Sequence, residues 1–126
     1  MYLARSSDHG FSFPSQVNLT SDSNDQVRPW MSIAPSGRID TIFYDYDRSR
    51  GLMDAVYGQT PAKGSTMTRT IIQTVIDGDA QPPRGPGHTP FMGDYVGIDS
   101  TDSLVAVSWT GNGPDSQDVF SATLQP

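Results

Sequence analysis

One stretch of this chain repeats another at a fixed distance, and that repeat constrains the fold more than any other feature. Arg38-Ile39-Asp40-Thr41-Ile42-Phe43-Tyr44 has the β-branched and aromatic composition and partial alternation of a β-strand, and so does Ser103-Leu104-Val105-Ala106-Val107-Ser108-Trp109. At an offset of 65, Ile39 falls on Leu104, Ile42 on Val107 and Tyr44 on Trp109. The preceding segments follow at the same offset, Trp30-Met31-Ser32-Ile33 on Tyr95-Val96-Gly97-Ile98. Short polar turns, Pro35-Ser36-Gly37 and Thr101-Asp102, split each pair. Further on, Asp54-Ala55-Val56-Tyr57 falls on Asp118-Val119-Phe120-Ser121 at an offset of 64.

A second internal match is shorter and more specific. Residues 6–13, Ser6-Ser7-Asp8-His9-Gly10-Phe11-Ser12-Phe13, read S-x-D-x-G-x-x-F. At an offset of 54 they fall on residues 60–67, where Thr60, Gly64 and Met67 keep the pattern and Ala62 replaces the aspartate. Strands are expected on either side of both copies: Tyr2–Arg5 and Val17–Thr20 around the first, 54–59 and 68–76 around the second. With the strands of one unit labelled A to D and this motif between C and D, the chain reads C-D, A-B-C-D, A-B-C. Four-strand units at a period of 54 to 64 residues predict an all-β chain of about two propeller blades in permuted order, forming one partial propeller domain over residues 1–126.

S-x-D-x-G-x-x-F is the Asp-box, and the chain resembles the sialidase-like Asp-box (BNR-repeat) propellers. The likeness extends to Asn24-Asp25-Gln26-Val27-Arg28-Pro29-Trp30-Met31, Phe43-Tyr44-Asp45-Tyr46-Asp47-Arg48, Phe91-Met92-Gly93-Asp94-Tyr95-Val96-Gly97-Ile98 and Gln117-Asp118-Val119-Phe120, which look like closing blades of uncharacterised members. It implies a structural role for Ser6, Asp8, Gly10 and Phe13. Asp8 would accept backbone N–H groups, Gly10 would take a positive φ, and Phe13 would pack between sheets. The copy at Ala62 would be a weaker turn along the same path. In the family these turns face away from the active site.

The family's catalysis, as the resemblance implies it, needs three arginines for a carboxylate, a tyrosine nucleophile helped by a glutamate, and an acid/base aspartate. All 14 acidic residues here are aspartates, so the Tyr/Glu pair is missing and no catalytic residue is assigned. The expected function is a non-catalytic module that binds carbohydrate through one face. The alternatives are a sialidase-like glycoside hydrolase with a site at subunit junctions, and a structural remnant without ligand.

In an up-and-down meander alternate connections go to opposite ends. The A–B and C–D turns are therefore expected at one end, and the longer loops, 21–28, 45–52, 77–94 and 110–117, at the other. That end holds the candidate ligand-binding residues Arg28, Trp30, Asp45, Asp47, Arg48, Arg84, Asp94 and Tyr95. Guanidinium groups suit carboxylate recognition, and aromatic rings suit sugar faces. Solvated charges and packing aromatics explain the same residues without a ligand; for Trp30, Tyr95, Tyr44 and Trp109, which fall on equivalent repeat positions, packing is favoured. No cofactor is expected. Asp45 and Asp47 at i, i+2 could serve calcium, but they lack the spacing of a calcium loop. His9 and His88 stand apart, which argues against zinc.

A net charge of −6 with Lys63 as the only lysine argues against nucleic acid as a partner. No apolar run approaches the roughly 20 residues of a membrane helix, so no membrane partner is expected. Met1–Ser6 lack a signal-peptide pattern and leave the compartment unknown. Two blades cannot close a ring, whereas three copies would supply six. The predicted partner is the chain itself, in a head-to-tail homotrimer whose neighbouring ends complete each other's blades.

Overall fold

The computed structural model describes residues 1–75, 95–112 and 117–126. These form nine strands and no helix: β1 (Tyr2–Arg5), β2 (Ser15–Asn18), β3 (Asp25–Ile33), β4 (Ile39–Asp47), β5 (Leu52–Thr60), β6 (Thr68–Val75), β7 (Gly97–Ser100), β8 (Val105–Asn112) and β9 (Gln117–Leu124). They pair antiparallel in chain order as sheets of two, four and three strands: β1-β2, β3-β4-β5-β6 and β7-β8-β9.

The four-stranded sheet is apolar on both faces, and this explains why its middle strands read as near-continuous buried runs. On one face Ile42, Tyr44, Ala55 and Tyr57 pack against Val105, Val107 and Trp109 of the three-stranded sheet, with Ile98, Phe120, Ala122 and Leu124 at the margin. Trp109 stacks on Phe120 with ring centroids 6.0 Å apart, and its Nε1 donates to Gln73 Oε1 at 2.6 Å. Tyr44 sends its hydroxyl between the sheets, donating to Thr110 O at 2.7 Å and accepting from Thr110 N at 3.0 Å. Over the other face lies the two-stranded sheet. There Met1, Tyr2, Leu3 and Leu19 meet Pro29, Trp30, Met31, Ile39 and Thr41 around a small apolar cavity.

The short turns gather at one end. Ser36 N–H donates to Asp102 Oδ1 at 2.8 Å, and Arg38 donates to Thr101 O and Asp102 O at 2.7 and 3.1 Å. Arg5 Nη2, at the end of β1, reaches Gly64 O in the β5–β6 connection at 3.1 Å. Gly37 lies so close to Ala62 that an added Cβ would sit 3.0 Å from the Ala62 Cβ.

Register corrects the repeat in two places. Ile42 pairs with Tyr57 and Val107 with Ala122, so the third strand repeats at 65, not 64. Both connections, 48–51 and 113–116, have four residues, which keeps the offset constant across the hairpin. Asp54 therefore corresponds to Val119 and not to Asp118; a one-residue slip moves a side chain to the other face. In the first strand Ile42 pairs with Trp30, whereas Val107 pairs with Ile98. That offset is 68, because the turn from Ala34 to Arg38 is longer than the one from Thr101 to Leu104. Tyr95 thus precedes β7, and Trp30 corresponds to Ile98.

The S-x-D-x-G-x-x-F segment, residues 6–13, forms a hydrogen-bonded turn. Ser12 donates its backbone N–H to Asp8 Oδ1 at 2.9 Å and its hydroxyl to Oδ2 at 2.6 Å, while Gly10 N–H donates to Ser6 Oγ at 2.8 Å. Gly10 takes φ 89°, and His9 is also left-handed at φ 59°. Phe13 departs from expectation: it is 56% exposed, because a two-stranded sheet is too small to bury it. The second copy departs too. Gly64 is not left-handed, and one backbone bond, Gly64 N to Pro61 O at 2.8 Å, closes the turn. Without a carboxylate at position 62, the backbone relaxes to a simpler path.

Hydrogen bonds from Ser12 and Ser6 lower the Asp8 pKa from 3.8 to about 2. A depressed carboxylate stabilises the turn fully above about pH 4, and that contribution is lost as pH falls through about 2. An NMR titration following the Ser12 amide should therefore show a midpoint near pH 2; a midpoint near 4 would contradict the bond pattern.

Candidate functional site

The end opposite the short turns holds a polar cavity of about 450 Å³, lined by Asp22, Asn24, Asp45, Arg50, Asp54, Val56, Arg69 and Ile71. The β4–β5 hairpin builds its centre. Asp47 pairs with Leu52, so Asp45 stands directly across from Asp54. Both project to the same face as Phe43 and Val56. Like charges set opposite each other in a sheet repel, and two arginines offset this. Arg69 Nη1 bridges Asp22 Oδ2 and Asp45 Oδ2, the latter at 3.3 Å. Arg50 holds Asp47 Oδ2 at 2.7 Å through Nε and reaches Asp54 Oδ2 at 3.4 Å through Nη2.

Gln26 forms the hub beneath. Its Nε2 donates toward Asp22 Oδ1 (2.8 Å), Asn24 O (2.7 Å) and Asp45 Oδ1 (3.2 Å). Its Oε1 accepts from the Met1 ammonium and from Thr20 Oγ1, both at 2.9 Å. Burial pushes the Asp22 carboxyl up, but Arg69, Asn24 and Gln26 together hold it below its ordinary value. Both oxygens of Asp22 and of Asp45 are thus engaged. Asp54 differs. It is 5% exposed, and its Oδ1 is one of three buried side-chain polar atoms without a hydrogen-bond partner among the described residues. Val56 and Ile71 add an apolar patch to the lining of the cavity.

Among the described residues proposed from sequence, only Asp45 lines this cavity. Asp47 caps its own turn, accepting from Ser49 N and Oγ and from Arg50, bonds that hold its carboxyl well below the usual range. Arg48 pairs with Asp25 at 2.6 Å. Arg28 sits at a β3 irregularity with φ 52°, and its charge pulls on the Tyr44 phenol against the upward push of burial. Trp30 is 59% exposed beside the apolar cavity, and Tyr95 is 87% exposed. Arg84 and Asp94 lie outside the described residues. Arg48, Arg50 and Arg69 are thus directed at aspartates of the chain itself. No group of three or more His, Cys, Asp or Glu among the described residues is placed to hold a metal ion.

Asp54 and Arg69 went unrecognised in the sequence. The signal for Asp54 was present: a charge inside the apolar strand Leu52–Thr60, the same distance from the hairpin centre as Asp45. Arg69 carried no signal, because its partners come from a different sheet hairpin and from the loop at Asp22.

Compared with protein-family models, curated proteins and solved structures, the chain matches none.

Proposed function

We propose that this chain is a non-catalytic, sialidase-like propeller module that binds carbohydrate at the Asp22–Asp45–Asp54 cavity and completes a six-bladed ring as a homotrimer. The observation that carries the reading is the strand arithmetic: one full four-stranded meander, flanked by a pair and a triplet that are each short of four. The hydrogen-bonded Asp-box between β1 and β2 supports it. So do the exposed apolar side chains Tyr2, Phe13 and Val119 on the two incomplete sheets and the turn between β1 and β2, which a neighbouring copy would cover. For the carbohydrate, the support is a cavity with an apolar floor and a polar rim, the combination that fits a sugar ring with its hydroxyl groups. The absence of glutamate, and carboxylates held by arginine and glutamine, support binding over hydrolysis.

Light scattering at micromolar concentration should give about 41 kDa, three chains of 13.7 kDa. A monomer overturns the assembly. A glycan array probed with the full chain should retain glycans, and Asp45→Ala should weaken that retention; an array with no hits overturns the ligand.

A further inference from the structure

We infer that the free edge of β9 docks on a second copy of this chain, where it takes the place of β1 beside β2, so that β1 is a placeholder strand. The inference rests on the assembly reading above and names the strands that make the contact. An exposed sheet edge pairs with another strand unless it is short, bulged, charged or broken by proline. Among the described residues, the other sheet edges carry such devices. β1, β2 and β7 have four residues each. β3 holds Pro29 and an irregularity between Val27 and Trp30. β6 holds Arg69 and an irregularity opposite Ala55 and Val56. β9 is different: it pairs with β8 in unbroken register at eight positions, has no proline, and carries its one charge, Asp118, near an end.

The chain itself shows what fits this edge. β9 corresponds by register to β5, and β5 carries β6 at the matching edge over seven paired positions. β2 is the counterpart of β6, because the repeat at offset 54 sets Ile71 on Val17 and Thr70 on Gln16. Its present partner, β1, pairs with it at four positions only and is otherwise tied by Met1 to Gln26 and by Arg5 to Gly64 O. Carrying the β5–β6 register across sets Ser121 opposite Val17, and Ala122 opposite Gln16, of the second copy. The faces agree. Ala122 and Phe120 pack toward the four-stranded sheet of their own copy, so Ser121 points away from it. Val17 shares a face with Leu3, which lies against the four-stranded sheet of its copy. The joined sheet therefore rests one face on each copy, and it continues past the place of β1 toward Met31 and Ile33, which are exposed on β3. Exchange of equivalent strands replaces one pairing by another, a low-cost route to assembly.

The test is cross-linking of the full chain, which has no cysteine of its own. Residues directly opposite in an antiparallel pair have Cα atoms about 4.5–5.5 Å apart, within reach of a disulfide. A chain carrying both Val17→Cys and Ser121→Cys should therefore form covalent dimers and trimers under mild oxidation, and neither single variant should. Cross-linking by Ser121→Cys alone overturns β2 as the partner, because two β9 edges have then met. Hydrogen exchange of the unsubstituted chain, dilute and concentrated, reads the same step should a variant fail to fold. On concentration, amides of residues 117–124 should slow by about tenfold or more while those of residues 2–5 quicken. Slowing in both segments overturns the displacement of β1. A trimer that forms no cross-link and shows unchanged exchange at residues 117–124 overturns the strand exchange and leaves the assembly reading standing. A monomer overturns both.

Discussion

Replacing Arg38 by methionine is expected to lower folding stability by about 3–5 kcal/mol, the usual cost of removing one partner from a buried ion pair. Asp40 has no exposed side-chain surface, and its two oxygens accept from Arg38 Nε at 3.0 and 3.1 Å. Tyr57 donates its hydroxyl to the same carboxylate at 2.6 Å. The Asp40 bond raises the Arg38 pKa, and burial first, with Asp40 second, raises that of Tyr57, so the arginine stays charged and the phenol neutral. Without the guanidinium, a buried carboxylate keeps a single phenol donor. All four nitrogen-to-oxygen bonds of Arg38 vanish together, including those that tie the turn before β4 to Thr101 and Asp102. Since a domain's total stability is typically about 5–15 kcal/mol, urea denaturation should show a large loss. Tyr57→Phe should cost only about 1–2 kcal/mol, because the ion pair remains. Removing both charges, with Asp40→Leu added to Arg38→Met, should recover a large part of the loss. A loss below about 1 kcal/mol for Arg38→Met would falsify the account of a buried node joining the two sheets.

Trp109→Ala carries the second large effect, about 3–5 kcal/mol. Trp109 is 5% exposed between the four- and three-stranded sheets, stacked on Phe120 and bonded to Gln73. Truncation opens a cavity and strands the Gln73 amide. Because the side chain joins sheets and is not internal to one, hydrogen exchange should speed up first in β7, β8 and β9, and later in β4 and β5. Trp30→Ala is the comparison, expected to cost less than about 1 kcal/mol because that ring is 59% exposed. Equal losses at the two tryptophans would contradict the observed packing.

The contrast between those residues marks how far the sequence could be read. Tyr44 and Trp109 are equivalent by repeat and by register, and both are buried. Their strands are rich in β-branched and aromatic residues, and the hairpin that follows each keeps the same register. Trp30 and Tyr95 looked equivalent by the same offset, yet one pairs with Ile42 and the other lies before β7. A difference in turn length between Ala34–Arg38 and Thr101–Leu104 leaves little trace in composition, but it shifts every residue of the strand before it. The candidate site was less legible still. Arg48 and Asp47 carry charges on the expected end and spend them on Asp25, Ser49 and Arg50. Asp54 lay hidden in an apolar strand.

The residues alone determine the strands, their antiparallel order as a pair, a quartet and a triplet, and the turn at residues 6–13. These are local matters of period-two alternation, of glycine at a positive φ, and of a carboxylate two residues after a serine. Only the tertiary structure decides which charges meet. Asp22 and Arg69 are 47 residues apart, and Ser36 and Asp102 are 66 apart. Their contacts depend on how three sheets pack face to face, a relation that strand periodicity does not encode. For the same reason only the packed chain leaves Asp54 Oδ1 buried without a hydrogen-bond partner among the described residues.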